Sequence, residues 1–340
     1  MSDRQTLEVA IIGCGYWGPN YVRNFLEMGD RTKIICCDSD GKQLEKISLR
    51  FPGVSVCDDY RALLKRGGLD AAVVATPAAT HFAVVRDCLE GGLHVLAEKP
   101  LALCSMEAES LCRLAESNGR LLMVAHTFLF NSGVRKIGEM VREGRLGRLY
   151  YLNATRTHMG LVRRDTNVIW DLAPHDVAIF NYWLEQLPEY VMASGARHLG
   201  SAREDAAFIH LVYPNEVLAH IHVSWEDANK ERTIKVVGSK ARAVFDDLNN
   251  LERVRVFEKG IGISNEARNF GEFQLLLRDG DIISPRLDQS EPLRVMCEHF
   301  VDCIRKGTKP LSDGRFALDV VRIIESVQKS VTEKCVVRLS

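Results

Sequence analysis

The sequence lacks a long apolar run, a marked excess of charge of either sign and any closely paired cysteines. Its 44 basic and 45 acidic side chains give a formal net charge of -1, which disfavours a nucleic-acid or anionic-membrane partner. No stretch approaches the roughly 20 apolar residues of a membrane-spanning helix. The chain begins with a short polar segment without a signal-peptide pattern. We therefore expect a cytoplasmic protein that binds neither nucleic acid nor membrane.

Metal and disulfide motifs are also missing. The ten cysteines show no Cys-x-x-Cys spacing, and so many unpatterned thiols are typical of a reducing compartment. His220 and His222 alternate on a predicted strand, with His210 as a possible cross-strand neighbour, but no cysteine or carboxylate completes a ligand set. The sequence therefore predicts no metal site.

What is present is a change of pattern near residue 125. Residues 1–125 alternate strand-like and helix-like segments, and the fully apolar run Ala71–Ala75 is typical of a strand covered on both faces. This part predicts a doubly wound parallel sheet. Together with the second part, it makes the fold class α/β.

Residues 126–340 contain consecutive strands with few helices between them, which predicts a large, open and mainly antiparallel sheet. Helices are expected at Asp176–Leu184 and at two C-terminal segments, Pro292–Lys306 and Arg315–Thr332. An exposed sheet usually needs covering, so we expect a homo-dimer or homo-tetramer formed through this domain.

A glycine-rich turn lies between the first predicted strand and helix. Gly13, Gly15 and Gly18 form a G-x-G-x-x-G pattern, whose glycines permit a tight turn and close approach to a pyrophosphate. Asp38 ends the second strand, where a carboxylate accepts hydrogen bonds from ribose hydroxyls and repels a 2′-phosphate. The prediction is a dinucleotide site for NAD rather than NADP. Tyr16 and Trp17, inside the turn, either pack over the cofactor or cover the first helix.

Two further motifs contain groups suited to proton transfer. Glu98 and Lys99 follow the predicted strand His94–Ala97, at the edge where parallel sheets bind ligands. Taken alone, Lys99 fits a surface ion pair better than it fits catalysis. Asp171 and His175 are spaced i, i+4, which places them on one helical face if Pro174 falls in a first turn. That pair is a base with its orienting acid, or a helix cap with a buried histidine.

Taken together and in order, these motifs resemble the glucose–fructose oxidoreductase/inositol dehydrogenase/MocA family. The resemblance includes Thr76-Pro77 with His81 and spans nearly the whole chain. It implies a Rossmann domain followed by an α/β domain with an open sheet, and NAD-dependent oxidation of a ring secondary alcohol. It also implies catalytic roles for Lys99, Asp171 and His175. The cofactor residues are then Gly13, Gly15, Tyr16, Trp17, Gly18, Asp38, Thr76, Pro77, His81, Glu98 and Lys99.

Two segments, His126–Asn131 and Asn167–Asp176, resemble nucleotide-sugar 3-dehydrogenases, which act on UDP-N-acetylglucosamine-type substrates. Leu129 departs from many relatives, which carry arginine there. Arginine suits a diphosphate, although solvated loop charges are an equal interpretation of Arg156 and Arg163. The candidate substrate residues are His126, Arg156, Arg163, Asn167 and Trp170.

Two alternative functions remain open at this stage. The first is a dehydrogenase of inositol or a free sugar, or a reductase of a 3-ketosugar, within the same family. The second is a dinucleotide-sensing regulator without turnover, which would have no need of Lys99, Asp171 and His175 together.

Overall fold

The computed structural model describes residues 6–160, 162, 166–200, 202–263 and 275–339, with only the backbone given for 261–263 and 275–278. The chain forms two compact units. The first is Met1–Phe130 with Ser290–Arg322, and the second is Asn131–Gln289 with Ile323–Ser340. The predicted boundary at residues 125 and 126 lies a few residues from the end of the first segment. Ser290–Arg322, which the pattern assigns to the second domain, belongs to the first unit.

The first unit contains the predicted parallel sheet. Its six strands run in the order β3-β2-β1-β4-β5-β6, and every pair is parallel. The chain order reverses between β1 and β4, which is where sheets of this class bind ligands. The strands are β1 (Leu7–Ile12), β2 (Thr32–Cys37), β3 (Ser55–Cys57), β4 (Ala71–Val74), β5 (His94–Ala97) and β6 (Leu122–Val124).

Helices connect these strands and bury the central ones. β4 is fully buried, as its uninterrupted apolar sequence predicts. Asp40 and Asp59 begin two of the helices by accepting hydrogen bonds from backbone N–H groups in the first turn. The helices are α1 (Gly18–Leu26), α2 (Gly41–Arg50), α3 (Tyr60–Arg66), α4 (Ala78–Glu90) and α5 (Ser105–Ser117).

The second unit is built on a nine-stranded sheet in the order β16-β13-β12-β11-β7-β10-β9-β8-β17. The β7–β10 pair is parallel and the other pairs are antiparallel, which confirms the predicted mainly antiparallel sheet. A separate hairpin pairs β14 with β15. The elements before residue 290 are α6 (Ser132–Arg142), β7 (Leu149–Thr157), α7 (Val168–Leu184), β8 (Tyr190–Ala196), β9 (Ala206–Tyr213), β10 (Val217–Ser224), β11 (Glu231–Gly238), β12 (Arg242–Asp246), β13 (Val254–Phe257), β14 (Gly260–Ile263), β15 (Leu275–Arg278) and β16 (Ile282–Ile283).

The two faces of this sheet differ. Alternate residues such as Leu152, Ile209 and Ile221 are buried, on strands that pack against α7. Their neighbours Phe208 and Leu218 are about half exposed and point to the opposite face. In the described part of the chain, this second face carries no covering helix.

Helix α7 corrects the sequence prediction. The helix begins at Val168 rather than at Asp176, and the side chain of Asn167 caps it by accepting from the Trp170 N–H at 3.1 Å. Pro174 therefore lies in the second turn and not in the first. Because proline has no N–H, the Trp170 carbonyl loses its helical partner there. Asp171 and His175 still lie on one face of the helix.

The chain ends in α8 (Pro292–Lys306), α9 (Gly314–Glu333) and β17 (Val337–Arg338). Both helices agree with the sequence prediction to within a residue. None of the described helices combines the length and apolar character needed to cross a membrane.

Candidate active site

The glycine turn has the shape that its pattern predicts. Gly13 has a φ of 98°, and a Cβ there would lie 2.6 Å from the Ala75 carbonyl carbon, so only glycine fits between β1 and β4. A Cβ on Gly18 would collide with the carbonyl oxygen of Gly13. A Cβ on Gly15 would meet no atom within 4 Å, which leaves that side of the turn open to a pyrophosphate.

Helix α1 begins directly after this turn, with Pro19 in its first turn. The first N–H groups of this helix have no partner within it. They create a positive electrostatic potential at the helix N-terminus, next to the open side of the glycine turn. Tyr16 is 85% exposed, and its ring meets that of Trp17 edge to face at 5.4 Å. The Tyr16 ring is therefore little packed against the protein, whereas that of Trp17 is more than half buried.

Asp38 follows β2 beside the same turn. Its Oδ2 accepts a hydrogen bond from the Cys14 N–H at 2.6 Å, and its Oδ1 accepts from the Asp40 N–H at 2.9 Å. The carboxylate is therefore fixed, half-buried, next to the glycines. The open turn, the helix N-terminus and this acceptor fit the pyrophosphate and ribose of a dinucleotide.

The Thr76-Pro77 segment connects β4 to α4. His81, in the first turns of α4, is only 1% exposed. Its Nε2 lies 2.8 Å from the Thr76 carbonyl oxygen, and its Nδ1 lies 2.7 Å from the Pro100 carbonyl oxygen. These contacts give His81 a role in shaping the site rather than in touching a ligand.

Glu98 and Lys99 follow β5, with a cis peptide bond between Lys99 and Pro100. Glu98 is 8% exposed and accepts two hydrogen bonds, from the Tyr21 hydroxyl at 2.6 Å and from the Lys99 N–H at 3.2 Å. Burial, and then the charge of Glu98, raises the pKa of Tyr21 well above its usual range. Lys99 itself is half-buried. Tyr21 is not identifiable from the sequence, because its role depends on a contact with Glu98, which is distant in the chain.

His126 follows β6 and is 3% exposed, with the Phe316 ring packed edge-on against it at 5.7 Å. Burial, and then the charge of Lys99, lowers the pKa of His126 to about 3, so the ring is neutral at ordinary pH. Its Nδ1 is buried without a hydrogen-bond partner among the described residues. A buried polar atom of this kind marks a position where a ligand group can bind.

In the second unit, Asp171 and His175 lie in α7. Asp171 Oδ2 accepts a hydrogen bond from the indole N–H of Trp225 at 3.3 Å. Burial lowers the pKa of nearby His158, whereas the charge of Asp171 opposes that shift. Trp225 and His158 directly follow β10 and β7, the two parallel-paired strands. Their positions at the carboxyl ends of those strands are the signal that could have identified them.

The other candidate substrate residues have different surroundings. Arg156 is buried and donates two hydrogen bonds to Asp176, at 2.9 and 2.8 Å, which favours a structural role. Asn167 caps α7 and donates to Glu204 and Gln328, both at 2.7 Å. Trp170 is half-buried in the first turn of α7. Arg163 lies outside the described residues.

The histidines on β9 and β10 form a ring cluster on the uncovered sheet face. His210 and His220 lie 4.6 Å apart between ring centroids, and Phe208 stacks on His222 at 4.4 Å. Elsewhere in the described part of the chain, His198, Asp205 and Glu226 bring three potential metal-ligand atoms within 4.8 Å of one another. His198 Nδ1 lies 2.8 Å from Glu226 Oε1, and the backbone N–H groups of His198 and Leu199 donate to the Asp205 carboxylate.

Comparison with known families agrees with this geometry. Residues 7–126 match the model of an oxidoreductase family with an NAD-binding Rossmann fold, and residues 134–244 match the GFO/IDH/MocA C-terminal domain. The chain therefore belongs to the Gfo/Idh/MocA family of NAD-binding oxidoreductases, whose relatives act on sugars and polyols.

Individual relatives are distant. D-apiose dehydrogenase from Paraburkholderia graminis is 23% identical over 97% of this chain and 89% of its own length. Among solved structures, UDP-N-acetylglucosamine 3-dehydrogenase from Acidithiobacillus ferrooxidans superposes with a TM-score of 0.82 at 22% identity, over 96% of this chain and 98% of that one. The WlbA dehydrogenase from Bordetella pertussis, in complex with NADH and UDP-GlcNAcA, gives 0.81 at 19%, over 98% and 99%. At these identities, the structures show the fold alone.

Proposed function

We propose that this protein is an NAD-dependent dehydrogenase that oxidises a ring secondary alcohol of a nucleotide sugar, at C3 of a UDP-N-acetylglucosamine-type substrate. The observation that supports the proposal is the buried ring of His126 near Lys99, whose Nδ1 has no hydrogen-bond partner among the described residues, at the carboxyl edge of the dinucleotide-binding sheet. His126 also begins the segment that resembles nucleotide-sugar 3-dehydrogenases. A solved relative in complex with NADH and a UDP-sugar has the same fold.

The preference for NAD over NADP follows from Asp38. Its carboxylate has one oxygen bonded to the glycine turn, so the negative charge is held at the adenosine end of the site. The Asp38 carboxylate would repel a 2′-phosphate, whereas it can accept hydrogen bonds from two ribose hydroxyls.

The roles of the protein groups follow from their chemistry. NAD, when bound, supplies the hydride acceptor. We assign His175, oriented by Asp171, as the base for the hydroxyl proton. Lys99 is assigned as a donor that stabilises negative charge on the substrate oxygen. The two could exchange these roles. The unused Nδ1 of His126 would be available to hydrogen-bond the substrate or the cofactor.

Single-site variants test this assignment. Lys99→Met and His175→Ala should each lower kcat by about 10²–10⁴-fold, as expected for lost acid–base catalysis. Lys46→Met, an exposed lysine on α2, should leave kcat unchanged. The measurement is NADH formation from NAD with UDP-N-acetylglucosamine. A kcat close to that of the wild type in both variants would contradict the assigned roles of Lys99 and His175.

The alternative substrates separate in the same assay. UDP should compete with a nucleotide sugar, whereas a dehydrogenase of inositol or of a free sugar would not be inhibited by it. A dinucleotide-sensing regulator would bind NAD and form no NADH with any substrate.

A further inference from the structure

Lys99 lies in a three-residue segment, Glu98-Lys99-Pro100, that is held on both sides. On its amino side, both carboxylate oxygens of Glu98 are used. One accepts from the Tyr21 hydroxyl at 2.6 Å, and the other accepts from the Lys99 N–H at 3.2 Å. Tyr21 is fully buried on α1, the helix that begins at the glycine turn. The segment is thereby hydrogen-bonded to α1, the helix whose N-terminus would bind the pyrophosphate.

On its carboxyl side, the segment is held by His81. The ring bridges the carbonyl oxygens of Pro100 and Thr76, at 2.7 and 2.8 Å, and is itself buried. A neutral imidazole donates to one of these carbonyls, whereas an imidazolium donates to both. With its proton on Nδ1, the ring donates to Pro100 and connects the turn after β5 to α4, whereas donation to Thr76 as well requires the imidazolium. The Lys99 backbone is therefore held between α1 and α4.

We propose that Tyr21 and His81 are positioning residues for Lys99, acting through Glu98 and Pro100 without touching the substrate. The inference rests on the proposed role of Lys99 in the reaction. A catalytic group must be held close to its productive geometry, and a misplacement of about 1 Å can cost about 10²-fold in rate. Two hydrogen-bonded tethers, one on each side of the lysine, provide that restraint.

Tyr21→Phe tests the first tether, because it removes one hydroxyl and keeps the ring. We expect kcat to fall about 5- to 50-fold while the KM for NAD changes less than about twofold, since the interaction acts on the transition state rather than on cofactor binding. The primary deuterium isotope effect on kcat should rise, as hydride transfer becomes more rate-limiting. A merely structural tyrosine would change thermal stability without changing the isotope effect.

Tyr60→Phe is the matched control. Tyr60 also donates to a carboxylate of the first unit, that of Asp87 at 2.8 Å, but away from the glycine turn and Lys99. It should keep both kcat and the isotope effect.

The second tether is tested by comparing His81→Gln with His81→Leu. Glutamine keeps an N–H donor and should retain more kcat than leucine, which keeps none. His94→Gln is the control, because His94 is a half-buried histidine on β5 whose Nδ1 accepts from the Leu121 N–H, and it should keep turnover.

The outcomes separate this inference from the proposed function. If Lys99→Met abolishes turnover while Tyr21→Phe and His81→Leu match wild type in kcat and isotope effect, the positioning role is wrong and the proposed function stands. If Lys99→Met itself has no effect, the role of Lys99 fails, and the positioning inference with it.

Discussion

Asp38 accepts a hydrogen bond from the Cys14 N–H, so the carboxylate at the adenosine end of the cofactor site is also part of the glycine turn. Asp38→Asn keeps an acceptor for that N–H and removes the charge. We expect the ratio of kcat/KM for NAD to that for NADP to fall at least tenfold, since hydrogen bonds to charged groups contribute about 1.5–3 kcal/mol. Steady-state kinetics with both cofactors measure this ratio. An unchanged ratio, with the exposed Asp58→Asn as control, would contradict the role of Asp38 in cofactor choice.

His94 makes the stability of the folded protein depend on pH. Burial, and then Arg120, lowers the pKa of His94 to about 4, and its Nδ1 accepts from the Leu121 N–H at 3.0 Å. Unfolded histidine titrates near pH 6.5, so the unfolded state binds the extra proton between about pH 6.5 and 4. The free energy of unfolding should therefore decrease as the pH is lowered through that window. The contribution of this ring is at most about 1.4 kcal/mol per pH unit, and it is smaller because the ring is partly solvated.

Urea unfolding of wild type and His94→Gln at pH 7 and pH 5 measures this contribution. The variant should lose less stability between the two pH values. Equal losses would mean that His94 is not held neutral in the folded state.

At the scale of elements, the parallel strands were predictable because burial on both faces demands uninterrupted apolar runs, as in β4. Strand β8 was not predicted, because it carries Ala193, Ser194 and Gly195, which have little strand preference. It exists through its pairing with β9 along its whole length. Tertiary pairing of this kind leaves no local signal.

Helix α7 shows the same limit within the candidate site. The spacing of Asp171 and His175 indicated a shared face, but Pro174 suggested a helix start near it. The start is at Val168, capped by Asn167, and the apolar residues Ile169, Ala173 and Val177 are fully buried. Their burial compensates for the hydrogen bond that Pro174 removes. The contacts of Tyr21 and Trp225 with the site residues likewise become visible only in the folded chain.

The Arg156–Asp176 pair connects β7 to α7 and gives a prediction at this scale. The two side chains are 4% and 1% exposed. Arg156→Met should lower the free energy of unfolding by about 3–5 kcal/mol, because it leaves a buried carboxylate unpaired. The double variant Arg156→Met/Asp176→Leu should recover much of that loss. Chemical denaturation checks both values.

Arg113→Met provides the control. It breaks an exposed helical pair with Glu109, and should cost no more than about 1 kcal/mol. A small loss in Arg156→Met, similar to that control, would show that the buried pair does not stabilise the fold.

For the whole molecule, the uncovered sheet face of the second unit supports the proposed homo-oligomer. Phe208 and Met192 are more than 40% exposed on adjacent strands of that face, beside the ring cluster of His210, His220 and His222. Contiguous apolar surface of this kind typically marks an interface. Phe208→Glu should convert a dimer or tetramer into a smaller species in analytical ultracentrifugation. Met106→Glu, at an exposed position on α5, should not. A monomeric wild type at micromolar concentration would contradict the proposal.

NAD-dependent oxidation of a UDP-sugar by this protein can be tested in one experiment. The most direct measurement combines thermal unfolding with absorbance of NADH, for protein mixed with NAD and, in turn, UDP-N-acetylglucosamine, UDP, inositol and a free sugar. We predict that NAD and UDP each raise the melting temperature, and that NADH forms only with the UDP-sugar. NADH formed from inositol or a free sugar, without an effect of UDP, would contradict the substrate assignment. Absence of both NADH and stabilisation by NAD would contradict the account as a whole.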